Sequence, residues 1–274
     1  MTLEDKAEEK EILSSRIRLN NMISRDNSPN PLFGNDVINE IASLKAEYTI
    51  IGETHPDESV ESLVMALIST GKYSTLFLEA LCAGDYAEKG DELKRGVYDW
   101  NPAKYDRIIR YAAAQGVEVH GIDIPRFLGG TSEDIAKWAD YIALSKNGKS
   151  IILTGDGHAT YRNSEISLPC RLAEKKVLPQ DIVTIGEFPK CYVPEGKVFR
   201  KSEIEDMGGI AFPGIKTSDY IFIRPLNEAE RRDLRCVLET DPYSRILEPN
   251  IKKKKARLSS YTPDRSNRTY GSEE

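Results

Sequence analysis

Histidine is scarce in this sequence: three in 274 residues. Cysteine is nearly as sparse, with Cys82, Cys170, Cys191 and Cys236 far apart and no Cys-x-x-Cys pair among them. That spacing excludes a zinc knuckle and offers no disulfide framework, so reduced and mostly buried thiols are expected. Long apolar runs are missing too, since none approaches the ~20 residues needed to span a bilayer. The opening MTLEDKAEEKEILSS has no apolar signal-peptide core. A cytoplasmic protein is therefore expected by default, or one exported as an effector by a specialised secretion system. Nor is there an excess of positive charge: 38 basic against 44 acidic residues give −6, which argues against a whole-surface nucleic-acid binder.

What is present is an ordinary globular composition, 39% apolar and 30% charged, with a clear rhythm. Residues 3–23 carry apolar positions at helical spacing and predict a surface helix, and 26–34 read as a loop. Asn35 is placed to cap a short helix bearing Val37, Ile38, Ile41 and Leu44. From Glu47 short apolar runs alternate with amphipathic segments. YTIIG, TLFLEAL (75–81), VEVHGIDI (117–124), SIILTG (150–155) and DIVTIGEF (181–188) read as strands. Helices are predicted between them, over 101–115, 132–146 and 166–176, and most plainly where Val60, Leu63, Val64, Leu67 and Ile68 form one stripe. Pro56, Asp57 and Glu58 suit the start of that helix.

Strands alternating with helices predict an α/β fold, a mostly parallel sheet with helices on both faces. CYVPEGKVF and DYIFIRP predict extra strands near the C-terminus, antiparallel at an edge, and 228–238 a closing helix. The domain reading is an N-terminal helix and linker (1–34), one α/β domain (35–248) and a disordered basic tail (249–274). The tail's KKKKAR run would contact anionic lipid or an import receptor.

The chemistry sits where strands end. In an open parallel sheet ligands bind outside the carboxyl ends of the strands, at the switch point. TIIGETHPD delivers Glu53 and His55 there, TLFLEAL delivers Glu79, GIDIP delivers Asp123, and SIILTGDGHAT delivers Asp156 and His158. His120 lies nearby and is expected to be a hydrogen-bonded structural residue. Arg126 and Arg162 follow two of these strands and would hold an anionic group. Gly52 and Gly155 open the two Gly-x-x-His turns, where the chain bends and another group must approach the backbone, and Gly157 would loosen the second turn. If the first and fourth strands are neighbours, His55 and His158 face each other across the switch point.

Imidazoles and carboxylates converging in this way suit a divalent metal that activates water. They suit equally a metal-free pair in which a carboxylate orients a histidine base.

At these residues the chain resembles the erythromycin esterase/ChaN-like/TIKI superfamily. TIIGETHPD, LFLEAL, GIDIP and ILTGDGHATYRNSEISLPCRLAEK carry the resemblance, which covers roughly 47–225 and is nearest the ChaN-like branch. The resemblance places Glu53, His55, Glu79 and His158 at the site. It implies a hydrolase of ester or peptide bonds, acting on a small molecule or peptide, with manganese, cobalt or zinc held by those four residues. Glu79 would be the general base and Asp123, Asp156, Arg126 and Arg162 would surround the substrate. It implies as alternatives a haem- or iron-binding protein, with Tyr161 or Tyr86 as an axial ligand, and a non-catalytic effector or toxin-like interaction module.

Overall fold

A computed structural model describes residues 36–53, 59–82, 86–87, 102–123, 132–161, 165–191, 196–206 and 218–225. The chain divides into two units, Met1–Pro225 and Leu226–Glu274, and all of the described residues fall in the first. The expected N-terminal helix, the closing helix and the basic tail lie outside the described residues.

Helix α1 (Asp36–Ser43) buries Val37, Ile38, Ile41 and Ala42. Its end is capped from a distance: Lys149 Nζ donates to the carbonyls of Ile41, Ala42 and Leu44 at 3.1, 2.9 and 2.9 Å. A cation there meets the carbonyls that a helix end leaves unpaired. Strand β1 (Tyr48–Glu53) is buried along its whole length. Helix α2 (Ser59–Ser69) buries the predicted stripe of Val60, Leu63, Val64, Leu67 and Ile68. It stops at Gly71, whose φ of +67° is the left-handed conformation that glycine adopts without steric cost.

The chain continues through β2 (Thr75–Cys82), β3 (Tyr86–Ala87), α3 (Pro102–Ala114), β4 (Glu118–Asp123), α4 (Ser132–Ser145) and β5 (Ser150–Gly155). There follow α5 (Asp156–Ala159), α6 (Leu168–Glu174), a 3-10 turn (Pro179–Asp181), β6 (Ile182–Cys191), β7 (Lys197–Arg200), α7 (Lys201–Asp206) and β8 (Tyr220–Pro225). The strands form one sheet in the order β3-β4-β2-β5-β1-β6-β8-β7. The six inner strands are parallel, and β3 and β7 close the two edges antiparallel. The sequence placed both late strands antiparallel, whereas β8 pairs parallel with β6 and only β7 reverses.

Alternation along the strands feeds two cores. Ile51, Leu76, Leu78, Val119, Ile151 and Leu153 pack on one face against α1, α2 and α3. Tyr48, Ile50, Phe77, Ile122 and Ile152 pack on the other against α4, α5 and α6. Strands β1 and β5 are neighbours, as the motif reading required. Helix α2, which follows β1, packs on the first face, and α5 and α6, which follow β5, pack on the second. Chain departing to opposite sides of adjacent strands opens a crevice at their carboxyl ends.

Candidate functional site

Glu53 is the last residue of β1, in register with Gly155 at the end of β5, and is 2% exposed. Strand alternation turns it to the same face as Ile51, toward α3. There Tyr105, itself buried, donates a hydrogen bond from its hydroxyl to Glu53 Oε1. Burial first, and then the charges of Glu53 and Glu79, raise the pKa of the Tyr105 phenol far above its ordinary value. It therefore stays protonated and can only donate to the carboxylate.

Glu79 sits where β2 loses its regular pairing. The register with β5 ends at Leu78↔Leu153, and that with β4 shifts between Leu78 and Cys82. Beyond Leu78 the side chain takes over the pairing. Glu79 Oε2 accepts from Thr154 Oγ1 at 2.5 Å and from the Gly155 amide at 2.6 Å. A carboxylate so near the core would be costly unpaired, and charge-assisted bonds of this length are strong ones. Because β5 lies between β2 and β1, Glu79 and Glu53 stand on its two sides.

His158 belongs to α5, the turn of helix directly after β5, and is half-buried. Its Nδ1 lies 3.0 Å from the Ile166 carbonyl oxygen. A carbonyl only accepts, so Nδ1 carries a proton, and in the neutral tautomer Nε2 then holds the lone pair. The ring also meets buried Trp138 edge to face, with centroids 5.5 Å apart and planes at 83°. The His158 ring is thus oriented by a backbone acceptor and an aromatic wall, both from outside its own turn.

Gly52 packs against the second Gly-x-x-His turn. A Cβ on Gly52 would lie 2.6 Å from Asp156 Oδ1, 3.0 Å from Asp156 Cα and 3.1 Å from Ala159 Cβ. This is the close backbone approach that the glycine predicted. Gly157 behaves differently: it lies inside α5 and a Cβ there would meet nothing within 4 Å, so its expected extra freedom is not used.

Asp123 ends β4 and is buried, and Asp156 opens α5 half-buried. His120 is packing, as expected. Its ring lies 5.4 Å from that of Phe77, and Nδ1 is 3.3 Å from the Tyr141 hydroxyl. Burial lowers its pKa, against the opposing charge of Glu118. His55, Arg126 and Arg162 lie outside the described residues, as does the Tyr86 side chain. Tyr161 is described and is 39% exposed.

Among the described residues no group of three His, Cys, Asp or Glu could hold a metal ion. Glu53, Glu79 and His158, three of the four expected ligands, thus make no metal centre by themselves. The sequence did not reveal Tyr105, Thr154 or Trp138 as neighbours of the site. Tyr105 stands in the α3 stripe with Ile108, Ile109 and Ala112, so spacing marks it only as core.

No protein-family model matches the chain, and no curated protein matches it. Two solved structures are similar in fold. One is described as "Cofacial heme binding to ChaN of Campylobacter jejuni", with 15% identity, a TM-score of 0.41, and coverage of 70% of this chain and 91% of that one. The other is the type III effector HopBA1, with 14% identity, a TM-score of 0.48, and coverage of 73% and 95%. The likeness is a distant one of overall fold and extends to no particular motif.

Proposed function

We propose that the chain is a ligand-binding module of the ChaN-like or effector type, with haem as its first candidate ligand, rather than a metal-dependent hydrolase. The observation that carries this reading is His158: Nδ1 is committed to the Ile166 carbonyl, which leaves the Nε2 lone pair of the neutral ring for a ligand. A histidine anchored in this way would suit coordination of haem iron, because the hydrogen bond at Nδ1 fixes the tautomer and strengthens the ligand nitrogen. Haem, when bound, would supply the iron centre; the protein would supply the His158 nitrogen and the aromatic wall of Trp138. Tyr161, an exposed residue, is a second candidate ligand. The described carboxylates favour this reading over hydrolysis, since Glu53 Oε1 and Glu79 Oε2 already accept from protein donors.

Titration with haemin tests it. A Soret band that shifts on binding, and is lost or altered in His158→Ala, is the expected result. No shift in the native protein would remove haem and leave the effector-type module, whose address would be Lys252–Arg257. Deleting 249–274 would then relocate the protein in a cell while His158→Ala would not. The hydrolase reading needs His55 beside His158, Glu53 and Glu79 around manganese, cobalt or zinc. Stoichiometric metal in the native protein, absent from a His55→Ala/His158→Ala variant, would reinstate it.

A further inference from the structure

We infer that Arg171 is a positioning residue for His158: one arm of its guanidinium ties together the two elements that hold the imidazole, and so sets its tautomer and orientation. This deepens the reading above and rests on His158 being the residue that meets a ligand.

The two supports of His158 come from different parts of the chain. The Ile166 carbonyl that accepts from its Nδ1 lies in the turn before α6, and the Trp138 ring beside it belongs to α4. A turn and a helix share no backbone ladder, so side chains must set their separation. Arg171 Nη2 donates to the Glu165 carbonyl at 3.0 Å and to Ser132 Oγ at 2.5 Å. One nitrogen thus joins the residue before Ile166 to the first residue of α4. The successive carbonyls of Glu165 and Ile166 accept from two side chains, Arg171 and His158. Outside a helix or strand, backbone carbonyls depend on such partners, and holding one peptide plane restricts the next. On the other side of Ile166, buried Ser167 caps α6 by accepting from the Cys170 amide at 3.3 Å. The acceptor for His158 is therefore held from both sides. The other arm of the guanidinium, Nη1, meets the Glu174 carboxylate at 2.8 and 3.0 Å. A planar guanidinium serves three partners at once in this way, whereas a lysine ammonium cannot present the same fork. Lys175 and Asp140 also join the end of α6 to α4, at 2.6 Å, but further along both segments.

The test reads His158 directly, by nitrogen NMR of its ring in mildly alkaline buffer, in the native protein, Arg171→Met, Arg171→Lys and Lys175→Met. Native His158 is expected to show a single tautomer, protonated at Nδ1. Arg171→Met keeps the apolar stem and is expected to give a mixture with the Nε2-protonated form. Arg171→Lys is expected to change less, in the same direction, and Lys175→Met to match the native spectrum. Haemin affinity is expected to fall about tenfold in Arg171→Met, the scale of a lost outer partner of a metal ligand. An unchanged tautomer in folded Arg171→Met, or in Arg171→Lys should the first variant not fold, would overturn the inference. So would an equal change in Lys175→Met, which would assign the effect to the joining of α6 and α4 in general. Haemin bound equally by the native protein and Arg171→Met would overturn it too. If the native protein binds no haemin while Arg171→Met still loses the single tautomer, the haem reading falls and the role of Arg171 stands.

Discussion

At the scale of single residues, the tightest constraint is at Gly52. Gly52→Ala puts a methyl group 2.6 Å from Asp156 Oδ1 and 3.0 Å from Asp156 Cα, and backbone cannot give way as a side-chain tip can. A destabilisation of about 1–3 kcal/mol is expected from this overpacking, read as a lower midpoint in urea. His120 sets a pH dependence. Burial lowers its pKa in the folded state, so the unfolded chain binds the extra proton more readily. Its contribution to stability is complete above the unfolded value of ~6.5 and is lost as pH falls through that value toward the folded one. His120→Gln should flatten the loss of stability in that window; an unchanged pH profile would assign the effect to other groups. Glu53, Glu79 and His158 were legible in the sequence because polar residues at strand ends stand out against apolar runs. Tyr105 was not, because a tyrosine in an apolar helical stripe has no signature until the opposing strand is known.

At the scale of elements, caps link distant parts of the chain. Lys149 reaches three carbonyls at the end of α1, and burial lowers its pKa. Lys149→Met should cost about 1–2 kcal/mol and speed amide exchange in α1 above all other helices. Ser167, the N-cap of α6, accepts from the Cys170 amide at 3.3 Å, and Ser167→Ala should cost about 1 kcal/mol on thermal melting. Helices α3 and α4 were legible to within a residue, since they fall inside the predicted 101–115 and 132–146, whereas the short α5 and α7 were not foreseen. Their apolar stripes are local signals. The direction of β8 was not legible, because parallel or antiparallel pairing depends on the path of the chain between strands. The two-residue β3 is too short to show a period.

At the scale of the whole molecule, the sheet grades from a centre paired on both sides to edges paired on one. Native-state amide exchange should be slowest in Ile50–Ile51 and Ile151–Leu153, and faster in the edge strand β7. Faster exchange in β1 than in β7 would contradict the strand order. Parallel α/β architecture followed from the alternation of elements, but no local pattern could state that β5 inserts between β1 and β2.

That insertion has a consequence for synthesis. As the chain leaves the ribosome, β1 emerges with neither of its partners, because β5 begins at Ser150 and β6 at Ile182. Until then its apolar residues and open edges are exposed to other nascent chains, the condition in which chaperones are needed. The strand that carries the first turn of the crevice is the one that waits longest for its place.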